Sequence, residues 1–124
     1  MNDKQYNIAI VDDENEILNM LQKFLNRSGK FKVSIFSNPV TAIASIDTSY
    51  DLILLDIMMP QMNGLDALDE IMKKSPEQKV IMMTAFSTLD KVLKSHKQGA
   101  THYLMKPFES LQMVEKKIDQ VLAL

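Results

Sequence analysis

Apolar residues follow two alternating patterns along the chain. Short, mostly apolar runs are typical of strands in a buried parallel sheet. Each run precedes a longer segment in which apolar residues recur every three or four positions, the spacing of one helix face. The predicted strands are Tyr6 to Val11, Lys32 to Phe36, Leu52 to Asp56, Lys79 to Thr84 and His102 to Met105. The predicted helices are Glu14 to Arg27, Pro39 to Ile46, Leu65 to Lys74, Leu89 to Gln98 and Ser110 to Leu122.

Residues at the predicted boundaries agree with this division. Asn38 is a good N-cap before proline at the first helical position, and Gly29 and Gly99 lie where helices should end. Parallel strands need right-handed helical crossovers, so five strand–helix units predict an α/β domain with helices on both faces. We expect one doubly wound (βα)5 flavodoxin-like domain over residues 1–124, with a parallel five-stranded sheet of order 2-1-3-4-5.

Composition excludes several classes of function. The formal net charge of -2 gives no basis for binding nucleic acid, because phosphate contacts require clustered lysine and arginine. No apolar stretch approaches the roughly 20 residues that span a bilayer. The chain contains no cysteine, which removes disulfides and thiolate chemistry. We expect a cytoplasmic domain that neither binds nucleic acid nor inserts into a membrane.

Carboxylates occur where two of the predicted strands end. Asp12 and Asp13 follow the first strand, and Asp56 ends the third. In the order 2-1-3-4-5 these strands are neighbours at the switch point, where open α/β sheets bind ligands. Carboxylates about 4 Å apart repel by about 4 kcal/mol at an effective dielectric near 20, so we expect a cation, Mg²⁺ or also Mn²⁺. Alternatively, Asp12 or Asp13 caps the following turn, whereas an unpaired Asp56 after such an apolar strand would be costly.

Two further strand ends carry groups that bind anions. The fourth strand ends at Thr84 and Ala85, which offer a hydroxyl and a backbone N–H, and the fifth is followed by Lys106 and Pro107. A lysine beside a carboxylate metal site could hold one phosphoryl oxygen while the metal holds another. Together the strand ends predict a site for a phosphoryl group.

In order and spacing, these residues resemble the receiver domains of bacterial two-component response regulators. The resemblance covers essentially the whole chain and is closest to stand-alone receivers of the chemotaxis-regulator type. The chain stops at Leu124, directly after the last predicted helix, so it is either a stand-alone receiver or one cut from a larger regulator; its clean start and the absence of a linker favour the first. The matching segments are Val11-Asp12-Asp13, Leu54 to Pro60, Gly64, Met83-Thr84-Ala85 and Tyr103 to Phe108.

The resemblance implies a metal site and a phosphoacceptor. Asp56 would accept a phosphoryl group from a phosphohistidine on a histidine kinase or phosphotransfer protein. Asp13, Asp56 and the backbone carbonyl of Met58 would bind Mg²⁺ directly, and Asp12 would act through water. The Lys106-Pro107 peptide bond is expected to be cis, which costs less before proline than elsewhere.

The resemblance also implies a phosphoryl cradle and a switch. Lys106 and Thr84 would hold phosphoryl oxygens, helped by backbone N–H groups near Ile57 and Ala85. When Thr84 moves toward the phosphoryl group, Tyr103 would turn inward and change the surface of helix four, strand five and helix five for a downstream target protein. Alternatively, Tyr103 is a static aromatic residue on an edge strand.

Two related classes of protein provide alternatives. Phosphatases of the haloacid dehalogenase type place a second aspartate two residues after their nucleophile, where this chain has Met58. We therefore expect a phosphoacceptor that phosphorylates and dephosphorylates itself, not a turnover enzyme. Bulky Met58 and Phe86 predict slow dephosphorylation. An FMN-binding module would need a neutral phosphate loop after strand one, where Asp12, Asp13 and Glu14 would repel a phosphate.

Overall fold

Strands and helices alternate strictly in the computed structural model, which describes residues 5–47, 49–85 and 89–124. No predicted boundary differs from the structure by more than one residue. None of the helices in these ranges is long and apolar enough to cross a membrane. The strands are β1 (Tyr6–Val11), β2 (Phe31–Phe36), β3 (Leu52–Asp56), β4 (Val80–Ala85) and β5 (His102–Lys106). The helices are α1 (Asn15–Asn26), α2 (Pro39–Ser45), α3 (Gly64–Lys74), α4 (Leu89–Lys97) and α5 (Leu111–Leu122).

The strands form one parallel sheet of order β2-β1-β3-β4-β5, which confirms the predicted topology. Val11 lies opposite Leu55, so β1 and β3 end side by side. The pairing of Ala85 with Lys106 extends β4 and β5 by one residue beyond their predicted ends. The carboxyl ends of β1, β3, β4 and β5 therefore meet at one edge of the sheet.

Each face of the sheet has its own apolar core because side chains along a strand alternate in direction. Ile8 and Ile10 of β1 pack in the cluster that includes residues of α1 and α5, whereas Ala9 and Val11 pack in the cluster with residues of α2 and α3. Every residue of β3 is buried. Burying one leucine or isoleucine side chain contributes roughly 1.5–3 kcal/mol, so the central strand is a rigid support for Asp56.

Local capping fixes where several helices begin and end. The Asn38 side chain accepts the Val40 N–H at 2.9 Å, with Pro39 as the first residue of α2, as predicted. Asn63 caps α3 by accepting the Asp66 N–H at 2.9 Å. Gly29 and Gly99 have φ angles of 73° and 116°, the left-handed region that glycine enters without strain. The predicted helix-ending glycines therefore do end their segments.

Candidate metal and phosphoryl site

Three carboxylates meet at the carboxyl edge of the sheet, as the sequence predicts. Asp12 and Asp56 are 0% and 5% exposed, and Asp13 is more open to solvent. One carboxylate oxygen from each residue lies within 4.8 Å of the others. Because β1 and β3 are adjacent and in register, the residues at their carboxyl ends necessarily lie close together. The fold therefore creates the acidic cluster.

Asp12 has two roles at once. Its Oδ1 accepts the Glu14 N–H at 2.8 Å, which caps the turn leading into α1. Its Oδ2 accepts a hydrogen bond from Lys106 Nζ at 2.5 Å. The two interpretations left open by the sequence, capping and cluster membership, are both correct for Asp12.

Lys106 connects the carboxylates from the end of β5. Its side chain is 14% exposed, and its Nζ lies 2.5 Å from Asp12 Oδ2 and 3.3 Å from Asp56 Oδ1. Glu14 Oε1 lies 3.5 Å from the same nitrogen, a contact that the sequence did not predict. The Lys106-Pro107 bond is cis, as the resemblance implied. The ammonium group is therefore within reach of the oxygen atoms where a phosphoryl group would be bound.

The electrostatics of the cluster favour a bound cation. The pKa of Asp56 is raised from 3.8 to about 7, chiefly by burial and then by the charge of Asp12, while Lys106 opposes the increase. Burial also raises the pKa of Asp12, against the lowering effect of its hydrogen bond from Lys106. For Lys106, burial lowers the pKa, but the hydrogen bond to Asp12 and the charge of Asp56 outweigh it and leave a net increase. When all three carboxylates are ionised, they and the Lys106 ammonium carry two net negative charges, which a divalent cation with a preference for oxygen ligands, such as Mg²⁺, would balance.

The end of β4 supplies the neighbouring hydroxyl. Asp56 lies opposite Met83, so buried Thr84 is one residue further along the adjacent strand. The Thr84 hydroxyl donates to the Ala85 carbonyl at 3.2 Å. The Ile57 N–H donates to the Met83 carbonyl at 3.0 Å, so it would have to leave this bond to reach a phosphoryl oxygen. Thr84 and Ala85 thus lie at the predicted edge, while Ile57 is engaged in strand pairing.

Gly64 lets the loop after β3 fold back against the end of that strand. Its N–H donates to the Ile57 carbonyl at 2.6 Å. A Cβ atom at position 64 would collide with the Asp56 carbonyl oxygen and lie 2.6 Å from the Ile57 Cα. Backbone atoms cannot move aside as a flexible side chain can, so only glycine fits here without displacing Asp56. From the sequence, Gly64 is known only as part of the resemblance, and this contact is not predicted.

A comparison with protein families identifies the family of this chain. Residues 8–118 match the family model described as the response regulator receiver domain. The chain belongs to this family. The receiver is thus a phosphoryl-accepting signalling domain of two-component systems. Receiver domains bind Mg²⁺ at an acidic pocket, and the cluster of Asp12, Asp13 and Asp56 is suited to such binding.

Individual relatives support the assignment. The receiver is 41% identical over 110 residues to the transcriptional regulatory protein CpxR of Klebsiella pneumoniae, covering 88% of this chain and 46% of the relative. It is 35% identical over 109 residues to the chemotaxis protein CheY of Listeria monocytogenes, covering 87% and 92%. A CheY-like receiver domain structure from Methanospirillum hungatei JF-1 superposes with a TM-score of 0.89 at 31% identity, covering 97% and 95%. The chain spans less than half the length of the transcriptional regulators that it matches.

Two further predicted residues lie at the surface of the receiver. Met58 is 54% exposed, and its Sδ is 3.5 Å from Lys91 Nζ. Tyr103 is 36% exposed on β5, with Lys117 Nζ 5.7 Å from its ring centroid and the His102 ring centroid at 5.8 Å. The sequence did not predict these contacts of Tyr103. Phe86, the other residue expected to slow dephosphorylation, lies outside the described residues.

Proposed function

We propose that Asp56 accepts a phosphoryl group from a phosphohistidine of a histidine kinase or phosphotransfer protein in a Mg²⁺-dependent reaction, which Mn²⁺ also supports. The observation that carries this proposal is the position of Asp56. Its carboxylate ends a fully buried strand, 3.3 Å from the Lys106 ammonium and within 4.8 Å of oxygen atoms of Asp12 and Asp13.

The transfer requires little covalent chemistry beyond the nucleophile. An ionised Asp56 oxygen attacks phosphorus, the bond from phosphorus to the imidazole nitrogen breaks, and the electron pair stays on the imidazole. The product is an acyl phosphate on Asp56. Phosphoryl transfer passes through a loose transition state, so positioning and charge stabilisation account for most of the catalysis.

The metal ion would be held by Asp13, Asp56 and the Met58 carbonyl, with Asp12 acting through water. When bound, it would supply positive charge to the phosphoryl oxygens and favour ionised Asp56, whose metal-free pKa is about 7. Asp12 is suited to an indirect role because its two oxygens already accept hydrogen bonds from Glu14 and Lys106.

The remaining groups would hold the transferred phosphoryl group. Lys106 would exchange its contact with Asp56 for one with a phosphoryl oxygen, since its ammonium already lies between Asp12 and Asp56. Thr84 would turn its hydroxyl from the Ala85 carbonyl toward a second oxygen, and the Ala85 N–H would donate to the group as well. The Ile57 N–H would donate to the phosphoryl group only if its hydrogen bond to the Met83 carbonyl were broken.

The phosphorylated domain acts as a switch rather than as a turnover enzyme in this proposal. Met58 occupies the position at which a general acid would assist hydrolysis, and its thioether cannot transfer a proton. The acyl phosphate would therefore persist long enough for Thr84 and Tyr103 to change the surface formed by α4, β5 and α5. Self-dephosphorylation remains and resets the signal slowly.

Two grooves fit the proposed protein partners. One, of about 290 Å³, is lined by Ile17, Met20, Phe108 and Leu111 beside Lys106, and suits the approach of the phosphohistidine protein. A second groove, of about 400 Å³ between β5 and α5, suits a downstream target. Tyr103 lines the second groove, so its movement would alter the target surface. Nucleic acid is not proposed as a partner of this domain.

The proposal is tested by intact mass spectrometry after incubation with a small phosphoramidate. With Mg²⁺ we expect the mass of one phosphoryl group on the wild-type protein and none on Asp56→Asn. Chelation of Mg²⁺ with EDTA should prevent the gain. Equal labelling of Asp56→Asn, or rapid multiple turnover of phosphomonoesters that requires Asp56, would show that the proposed function is wrong.

A further inference from the structure

The partly exposed ring of Tyr103 lies near a lysine of α5. Lys117 Nζ lies 5.7 Å from the Tyr103 ring centroid, within the roughly 6 Å over which a cation is attracted to an aromatic face. The His102 ring lies beside it, with its centroid at 5.8 Å and its plane tilted by 47°. The phenol ring therefore has a cation and a second ring as neighbours while it remains partly exposed.

Lys117 has no stronger partner among the described residues. Within residues 5–47, 49–85 and 89–124, no carboxylate lies within ion-pair distance of its ammonium. The nearby acids Glu115 and Asp119 of α5 instead pair with Lys30, at 2.7 and 3.1 Å. Among the described residues, the Tyr103 ring is therefore the side chain that the Lys117 ammonium contacts without a competing ion pair.

Tyr103 also borders a cavity of about 290 Å³ whose lining comes from α4, β5 and the segment between them. Tyr103 lines both this cavity and the groove that contains Lys117. Small side chains, Ser95, Ala100 and Thr101, form part of the cavity wall. Tyr103 thus lies between the groove beside Lys117 and a cavity bordered by α4 and β5.

We propose that Lys117 is a positioning residue for the switch: it stabilises the outward ring and so sets how many unphosphorylated molecules adopt the inward arrangement. This inference rests on the proposed switching role of Tyr103. A cation–π contact at an exposed site shifts an equilibrium by about 2- to 5-fold. Loss of the contact would raise the ratio of inward to outward molecules by the same factor.

Thermodynamic linkage turns this shift into a measurable affinity. A ligand that binds the inward state better must bind more tightly when the outward state is destabilised. Beryllofluoride with Mg²⁺, a phosphoryl mimic, is such a ligand under the proposed function. Electrostatics alone predicts the opposite sign, because removing a lysine weakens the binding of an anion. The direction of the change separates the two explanations.

The test compares Lys117→Met with Lys116→Met. Both variants remove one positive charge from α5 and keep a long side chain, but Lys116 is exposed and makes no cation–π contact within the described residues. Fluorine NMR of protein labelled with 3-fluorotyrosine follows the ring, since the chain has three tyrosines and Tyr103→Phe identifies the signal. The mimic is titrated in the same samples.

In Lys117→Met, we expect the Tyr103 signal to move part of the way toward its mimic-loaded position, and the mimic to bind about 2- to 5-fold more tightly. Lys116→Met and Lys117→Arg, which keeps the cation, should resemble the wild type. Unchanged or weaker binding in Lys117→Met would refute the role of Lys117. A wild-type Tyr103 signal that does not respond to the mimic would refute both the switch and this inference, while phosphoryl transfer to Asp56 would stand on its own mass measurement.

Discussion

Replacing Asp56 with asparagine should stabilise the metal-free protein, although it removes the proposed phosphoacceptor. The pKa of Asp56 is raised from 3.8 to about 7 by burial and by Asp12. The folded protein thus binds the Asp56 proton more tightly than the unfolded chain, and ionisation of this group opposes folding. The free energy of unfolding of the metal-free wild type therefore falls as the pH rises from about 4 to about 7, and the decrease caused by Asp56 is constant above that pH.

The size of the effect follows from the difference between the two pKa values. Each pKa unit corresponds to about 1.36 kcal/mol, so the full penalty above pH 7 is roughly 4 kcal/mol. Movement of side chains and entry of water would relieve part of it. Asparagine keeps the shape of a protonated aspartate and cannot ionise. We therefore expect Asp56→Asn to be about 2–4 kcal/mol more stable than wild type at pH 8, with a much smaller difference near pH 4.

The assay is urea unfolding followed by circular dichroism, in EDTA, at several pH values between 4 and 8. Asp90→Asn, at an exposed position in the first turn of α4, serves as the control for loss of a negative charge. Added Mg²⁺ should stabilise the wild type more than Asp56→Asn, because a ligand of the native state shifts unfolding by mass action. If Asp56→Asn is no more stable than wild type at pH 8, the electrostatic account of the cluster is wrong.

Three further outcomes are expected. Gly64→Ala should remain folded by circular dichroism but be phosphorylated at least about tenfold more slowly, because its Cβ displaces the Asp56 backbone and misplacing a reacting group slows a reaction by at least this much. An unchanged rate would contradict this. Met58→Asn combined with Phe86→Ala should shorten the lifetime of the acyl phosphate several-fold, since smaller or polar groups admit water; an equal or longer lifetime would oppose the prediction. Mg²⁺ affinity, measured by calorimetry, should rise as the pH increases from 6 to 8, because protons compete with the metal for Asp56 near its pKa of about 7. An affinity that does not change with pH would count against direct ligation of Mg²⁺ by Asp56.

The sequence was sufficient to predict how the chain is divided and where the carboxylates meet. Five apolar runs separated by helical segments have few arrangements that bury both sheet faces, and in the observed order β1 and β3 are adjacent. The meeting of Asp12 with Asp56 follows from that adjacency alone. Residues that end neighbouring parallel strands lie together whatever their side chains do.

Contacts that depend on loop paths and side-chain reach could not be predicted in this way. The approach of Gly64 to Asp56 depends on how the intervening loop folds back, and no periodicity in the sequence records that path. The contact of Lys117 with Tyr103 depends on the rotation of α5 about its axis and on the extended lysine side chain. The position of Ile57 beside Asp56 could be predicted, but the acceptor of its N–H, the Met83 carbonyl, could not.

The most direct test of the account is to locate the phosphoryl group. Wild-type protein is incubated with Mg²⁺ and a phosphoramidate, the acyl phosphate is reduced with sodium borohydride, and the modified peptide is sequenced by mass spectrometry. Reduction converts a phosphorylated aspartate to homoserine, which marks the residue permanently. We predict homoserine at position 56 and at no other aspartate. Homoserine at Asp12 or Asp13 with an unmodified Asp56 would contradict the assignment of Asp56 as the phosphoacceptor.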